Sequence, residues 1–509
     1  MNGQTDKIEF GDFQTPEHFA GIVCKYLKND MALNPTVIIE PTCGIGNFLV
    51  SSLQEFSPRL SYGIEINAEY INIAKERLDN KTILVNSDLF TFDFSKITDN
   101  LSEQDTVLVV GNPPWVNNSV LSALGSDNQP IKSNFKGMKG LDAITGSANF
   151  DICEYMILQI INAFEGTNTT IAMLCKTIVA RNAFQELKRN NTDFCLAHML
   201  TFDTKKVFDV NVDGCLFVIK LSTEKNNVDY CEVYNIEEPN VITSRFGYKD
   251  GKFYSSLDED CKDFDGVCCF EWRQGVKHDC SKVMELDKKD NAYYNGYGTR
   301  LDIEDTLVFP LVKSSHFKTS IIKNFKKYVI VTQKKVKEDT TKIVDLAPKT
   351  WQYLNNNIEA FQARKSSIYK NSPEFSMFGI GDYSYAPYKV GISGFYKVPL
   401  FALLSADKPV MTDDTCYFLS FDTYDMAYTA MLILNSNMVQ EFLKSIAFID
   451  SKRPYTKKVL DRIDFTKIIE HTDLERLKET EVKLELKPYI NQEHLRNFER
   501  FIVYGNIGL

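Results

Sequence analysis

Val107-Leu-Val-Val-Gly-Asn-Pro-Pro-Trp115 is the stretch on which the reading of this chain turns. Its apolar run predicts a buried strand, and Asn112-Pro113-Pro114-Trp115 falls just past the carboxyl end of that strand, where open α/β sheets place their chemistry. The tetrapeptide suits a planar amine. An exocyclic amino group conjugated into a ring is a weak nucleophile. The Asn112 side-chain oxygen and the Pro113 carbonyl are two acceptors that would bind its N–H donors and concentrate negative charge on nitrogen, with no titrating base. Pro113 and Pro114 fix two successive φ angles and restrict the residues before them, which holds that carbonyl at one angle. Trp115 offers a flat face for an extruded base, a contact worth roughly 1–3 kcal/mol. A strand followed by a proline turn with a packed tryptophan is the plainer alternative, and the flanking sequence decides between them.

Upstream, Thr15-Pro16 predicts a helix start, with a hydroxyl at the N-cap and proline in the first turn. Phe19, Ile22, Val23, Tyr26 and Leu27 follow on one face. Thr36-Val-Ile-Ile-Glu40 predicts a short strand, and Pro41-Thr-Cys-Gly44-Ile-Gly46-Asn-Phe48 the turn into the next helix. Glycines at 44 and 46 permit positive φ and close approach of a ligand to the backbone. A third glycine of G-x-G-x-x-G would fall at Leu49, so a pyrophosphate ligand is disfavoured. Leu60–Glu65 predicts a second strand ending on an acid, 21 residues after Gly44. That is close to the roughly 20 at which a carboxylate meets ribose hydroxyls in nucleotide-binding βαβ units; a helix cap is the alternative for Glu65. Asn67 predicts a helix cap, Thr82–Val85 a third strand leading to Ser87-Asp88-Leu89-Phe90, and Val107–Val110 a fourth. Asp88 stands where a carboxylate could accept from an adenine amino group. Strands alternating with helices predict a doubly wound, Rossmann-like parallel sheet with its ligand across the carboxyl edge.

In this order, T-P at 15–16, E-P-T-C-G-I-G-N-F at 40–48, Glu65, Asp88 and N-P-P-W at 112–115 resemble S-adenosylmethionine-dependent DNA methyltransferases that modify adenine N6. More narrowly they resemble the type II restriction-modification group with cofactor motifs first and a target-recognition domain at the C-terminal end. The resemblance covers 1–221 well and the remainder loosely. It implies that Glu65 binds the cofactor ribose, Asp88 with Leu89 the cofactor adenine, and Thr15, Glu40, Gly44 and Gly46 the methionine side, with Asn112 at the border of cofactor and target. It further implies that Asn112 and Pro113 bind the target amine, with Pro114 and Trp115 completing the lip. Many relatives carry Tyr or Phe where this chain has Trp115. Phe202–Phe208 followed by Gly214–Lys220 resembles the closing β-hairpin of the methyltransferase sheet, and Phe208 matches the aromatic on the other side of the extruded base; a core phenylalanine is the alternative.

The 509 residues are 44% hydrophobic, enough for two or more domains at roughly 100–200 residues each. No apolar run approaches the roughly 18 residues of a membrane span, and the opening MNGQTDKIEFGDFQTP lacks the layout of a secretory signal, so the expectation is no membrane and a cytoplasmic site of action. The 12 cysteines form no C-x-x-C pair, and the cluster of Cys261, Cys268, Cys269, His278 and Cys280 has no zinc-ligand spacing, so no metal is expected. Net charge is −10, distributed unevenly. Residues 1–220 hold 18 Lys+Arg against 26 Asp+Glu, whereas 313–349 holds ten lysines against three acids. Basic character therefore belongs to the second half, as double-stranded DNA would require.

The polar stretch 222–229 predicts the domain boundary, giving a catalytic domain at 1–225 and an α+β target-recognition domain at 226–509. Within the latter, Trp272–His278, the lysine-rich 313–349, Tyr383–Tyr396 around Lys389, and Lys452–Lys458 read as surfaces for DNA backbone contact, and Thr423–Ile446 as helix. Residues 116–149, polar and glycine-rich, read as a functional loop, followed by helix from Ser147 to Phe164, strand from Thr169 to Cys175 and helix from Asn182 to Arg189. Only about fourteen residues precede Thr15, where fused relatives carry a nuclease, so a separate restriction endonuclease is expected if this is a restriction system; a monomer on DNA is the expected assembly. A protein-glutamine or RNA methyltransferase, and a catalytically silent DNA-recognition protein, are the competing readings.

Overall fold

The computed structural model describes residues 14–116, 151–224, 227–257 and 264–505. The chain divides into two compact units, Met1–Asp258 and Glu259–Leu509.

The first unit opens with α1 (Glu17–Asn29), whose Phe19, Val23, Tyr26 and Leu27 are buried. Then β1 (Val37–Glu40), α2 (Asn47–Glu55), β2 (Leu60–Glu65), α3 (Ala68–Arg77), β3 (Thr82–Asn86) and β4 (Val107–Gly111) alternate as expected. After the undescribed 117–150 come α4 (Ile152–Ala163), β5 (Thr169–Lys176), α5 (Thr177–Asn190), β6 (Phe194–Phe202), α6 (Thr204–Phe208) and β7 (Gly214–Leu221). Three further strands follow, β8 (Tyr230–Asn235), β9 (Glu238–Lys249) and β10 (Lys252–Tyr254).

All ten strands form one sheet in the order β10-β9-β8-β6-β7-β5-β4-β1-β2-β3. From β3 to β5 the pairings are parallel, and β7 inserts antiparallel between β5 and β6. Strand order reverses between β1 and β4, which pair directly with Ile39 beside Val109. That reversal is the topological switch point at which such sheets open a crevice for ligands. β1 and β4 are buried along their whole length, because helices cover both faces of a parallel sheet.

Three expectations need correction. The sheet does not stop at 225: β8 pairs parallel with β6, and β9 and β10 extend the edge, so the compact unit runs to Asp258. Thr15 does not cap α1; Pro16 holds the N-cap position and no side chain caps it. The segment 202–208 is not all hairpin, since α6 sits between β6 and β7 with Asp203 capping it through Lys205 and Lys206 N–H. The loop expected at 116–149 lies, beyond Val116, outside the described residues.

The second unit is α+β. One sheet runs β11 (Arg273–Gln274), β21 (Cys416–Phe421), β18 (Tyr388–Ser393), β19 (Phe401–Ser405), β16 (Ile321–Ile322). Another runs β14 (Arg300–Leu301), β13 (Ala292–Asn295), β12 (Glu285–Lys289), β17 (Lys327–Ile330), β15 (Val308–Val312), β20 (Met411–Thr412). The expected helix at 423–446 is two helices, α7 (Tyr424–Asn435) and α8 (Asn437–Ile446), broken at Ser436, whose extended backbone ends the first and caps the second. Lys389 is not on a surface. It lies on β18, the central strand, at 1% exposure, and its ammonium donates to the Ser384 and Ala386 carbonyls at 2.9 and 3.1 Å. Around it, Arg273 lies over the Tyr383 ring at 4.4 Å and Arg453 over Phe395 at 4.8 Å. Among the described residues no helix is long and apolar enough to cross a membrane, and no group of three or more His, Cys, Asp or Glu is placed to hold a metal.

Candidate active site

The turn after β1 is built by two left-handed glycines. Gly44 has φ +51° and Gly46 has φ +85°, the latter opening α2. A side chain at Gly44 would also run into Gln14 at 2.6 Å, and the turn is tied down from within, with Cys43 N–H donating to the Ile64 carbonyl at 2.8 Å and Gly46 N–H to the Cys43 carbonyl at 2.7 Å. Glu65, at the end of β2, reaches across to it. One carboxylate oxygen accepts from Gly44 N–H at 2.8 Å and the other from Asn67 N–H at 2.8 Å. Asn67 in turn caps α3 through Glu69 N–H at 2.9 Å.

Glu40 ends β1 at 3% exposure and accepts from Leu49 N–H at 3.0 Å. Burial pushes its carboxyl well above the ordinary range, against the opposing pull of that N–H, and Glu65 adds to the rise. A cation bound beside Glu40 would favour its ionised form. Thr15 is 4% exposed, and its hydroxyl finds no hydrogen-bond partner among the described residues; its carbonyl accepts from Asn47 at 2.7 Å. Asp88 follows β3, accepting from Phe90 N–H at 2.9 Å, and buried Leu89 gives its carbonyl to Gln159 at 3.1 Å. Asn86 ties the ends of β2 and β3 together through the Glu65 and Ile66 carbonyls, each at 2.9 Å.

Across the switch point, Asn112 to Trp115 leave the end of β4. Thr42, in the β1 turn, donates to the Asn112 carbonyl at 3.4 Å, so the two motifs meet. Trp115 is 9% exposed. Its indole N–H donates to the Leu174 carbonyl at 3.3 Å, and its ring stands edge-on to Phe208 with centroids 5.5 Å apart at 72°. Phe208 also packs on Phe19 and Phe202. The free indole face expected from the sequence is therefore not present in this arrangement; the two rings meet each other with no room for a base between them.

Sequence reasoning missed two groups. Arg77, on the last turn of α3, donates to the Ile45 carbonyl at 2.6 Å and to Asn47 at 2.7 Å, and pairs with Glu17 at 2.7 Å, bracing the glycine turn from outside. A basic residue in a last helical turn reads as a dipole partner, which hid this role. Lys176 ends β5 beside the lip and bonds Asp151 and the Trp115 carbonyl. Its position at a strand's carboxyl end was the signal that could have found it.

Residues 1–293 match the family described as N-6 DNA methylase. The type II methyltransferase M.NspV of Nostoc sp. (strain ATCC 29411 / PCC 7524) is 39% identical over 477 residues, which span 91% of this chain and 98% of that protein. The type II methyltransferase M.CvrRI of Paramecium bursaria Chlorella virus XZ-6E is 29% identical over 110 residues, 22% of this chain and 26% of that one. Among solved structures, the type IIL restriction-modification enzyme MmeI in complex with DNA is 12% identical, covers 100% of this chain and 78% of its own, and has a TM-score of 0.58, a likeness of fold.

Proposed function

This chain belongs to the N-6 DNA methylase family, and from that premise we propose that it methylates N6 of adenine at a specific site in double-stranded DNA, using S-adenosylmethionine. The observation that carries the reading is the meeting, across the β1/β4 switch point, of the glycine turn held by Glu65 and the Asn112-Pro113-Pro114-Trp115 lip. One side suits a nucleoside cofactor and the other an aromatic amine.

The residues present fit that cofactor. Glu65 offers a carboxylate to the ribose, Asp88 with Leu89 borders the adenine, and the left-handed Gly44 and Gly46 shape the turn that faces the cofactor. The buried Glu40 and the Thr15 hydroxyl, which has no hydrogen-bond partner among the described residues, suit a positively charged methionine end. When bound, the cofactor supplies an electrophilic methyl group. The chain's own residues then hold the target: Asn112 and the Pro113 carbonyl accept from the amine and orient its lone pair for in-line attack. Capture of an extruded base between Trp115 and Phe208 requires the pair to part, and stacking on both rings offsets that loss. The proton leaving nitrogen passes to solvent.

The second unit carries sequence recognition in this reading, and a separate endonuclease completes the restriction pair in the cytoplasm. The enzyme acts as a monomer on DNA. The protein-glutamine, RNA and silent-scaffold readings draw no support from the family match or from a relative aligned over 98% of its length. Mass spectrometry of nucleosides from DNA incubated with the purified chain and S-adenosylmethionine tests the proposal: N6-methyladenine is the expected product. N4-methylcytosine alone, or no methylated base on a substrate library covering all short sites, overturns it.

A further inference from the structure

Trp115 is anchored at three points, all on β5 and β7. Its carbonyl accepts from Lys176 Nζ at 3.3 Å, and its indole N–H donates to the Leu174 carbonyl at 3.3 Å. Its ring sits against Gly214, where an added Cβ would come within 2.9 Å of the indole. Gly214 is the register partner of Lys176 across β5 and β7, so the anchors form one patch of sheet.

Lys176 is itself anchored. Its ammonium reaches Asp151 Oδ2 at 2.7 Å, and the other oxygen of Asp151 caps α4 by accepting from Cys153 N–H at 3.1 Å. Ile152 N–H donates to the Val116 carbonyl at 3.0 Å, so the chain leaves the lip and returns to α4 at one place. Asp151 is 7% exposed, and its burial raises its carboxyl above the ordinary range despite the lysine. A pair this poorly solvated is a weak source of stability, because desolvation offsets the Coulomb gain and an apolar pair of similar volume would serve folding as well. Geometry is what the pair supplies: a charge-assisted donor with fixed direction, aimed at the carbonyl that ends the lip. Two prolines with fixed φ lie between that carbonyl and Asn112 and restrict the residues before them, so few backbone torsions separate the angle set at Trp115 from the amine acceptors.

We propose that Lys176 is a positioning residue of methyl transfer, acting through the Trp115 carbonyl and Asp151 to set the angle at which Asn112 and Pro113 face the target amine. The inference rests on the function proposed above. Lys176→Met keeps the length of the side chain and removes the donor; Lys176→Arg keeps a donor; Asp151→Asn keeps the shape and weakens the hold on the lysine. Single-turnover methylation of a cognate duplex, dissociation constants for S-adenosylmethionine and DNA, and far-ultraviolet circular dichroism are measured for all four proteins.

Lys176→Met is expected to transfer methyl about 10–100-fold more slowly, the size of effect that small misplacements of reacting groups produce, with both dissociation constants within about twofold of the parent. Lys176→Arg should recover most of the rate, and Asp151→Asn should fall between. A parent-like rate in Lys176→Met overturns the proposal, as does a rate loss explained by weaker cofactor or DNA binding, which would make Lys176 a binding or folding residue. If Lys176→Met does not fold, Asp151→Asn decides in the same way. A parent protein that transfers no methyl to adenine fails the underlying reading and this proposal together, whereas a parent that does so, with an equally fast Lys176→Met, fails this proposal alone.

Discussion

The carboxylate of Glu65 accepts from the backbone N–H of Gly44 at 2.8 Å, tying the end of β2 to the turn that follows β1. The second oxygen is bonded to Asn67 N–H, so the side chain is fixed before any ligand arrives. Glu65→Ala should weaken S-adenosylmethionine by about 1.5–3 kcal/mol, the worth of a hydrogen bond to a charged acceptor, and Glu65→Gln by less. Titration calorimetry in the absence of DNA measures both. Affinity unchanged in Glu65→Ala would remove this residue from the cofactor site.

A salt titration tests the proposed placement of DNA on the second unit. Lys326, Lys334 and Lys335 are exposed, whereas Lys327 pairs with Asp287 at 2.9 Å. Phosphate contacts release counterions, so affinity falls with salt in proportion to the number of lysines engaged. Changing Lys326, Lys327, Lys334 and Lys335 together to Gln should flatten the slope of log Kd against log salt, with Lys327 contributing least because a carboxylate already neutralises it. An unchanged slope would mean that DNA runs elsewhere on the molecule.

Much of the first unit was legible in the sequence, because its signals are local. Apolar runs ending on Glu40, Glu65 and Asn112 mark strands whose next residues must lie on the carboxyl edge, and the glycines at 44 and 46 can be read as a turn from their type alone. What escaped was decided at long range. The polar stretch after Leu221 looks like a linker, yet β8 returns to pair with β6, which no local composition announces. Aromatics and glycines around Lys389 look like an open surface until β19 and β21 close on both sides of β18. Trp115 reads equally well as a platform or a packed ring, and only its contacts with Leu174, Phe208 and Gly214 show how it rests.

Lys389 should give the second unit a dependence of stability on pH. Burial lowers its ammonium to about 7, and the groups it donates to are the uncharged Ser384 and Ala386 carbonyls. The unfolded chain keeps the ordinary value of roughly 10.4. Between those values the unfolded state binds more protons than the folded state, so stability rises as pH rises from about 7 and levels off below it, with a slope of at most about 1.4 kcal/mol per pH unit. Urea unfolding of the parent and of Lys389→Met at pH 7, 8 and 9 isolates this contribution as the difference between the two proteins. Parallel curves would show that Lys389 stays charged in the folded state.

Asn112 and Trp115 share one lip but should fail in different ways. In the proposed mechanism Asn112→Ala removes an acceptor for the amine during transfer, so the single-turnover rate should fall by roughly 10²–10³, as when one preorganised electrostatic partner is lost. Trp115→Ala removes a stacking surface worth about 1–3 kcal/mol per base, and it also dissolves the contact with Phe208, so part of the loss is offset because no ring pair needs to open. Its net effect should therefore sit at the lower end of that range. A mismatch opposite the target adenine lowers the cost of unpairing, and should rescue Trp115→Ala, whose defect lies in holding the extruded base, more than Asn112→Ala, whose defect lies in the reaction. Single-turnover methylation on matched and mismatched duplexes reads all four combinations. Equal rescue of the two variants would assign Asn112 to extrusion, and polarisation of the amine by its side-chain oxygen would have to be given up.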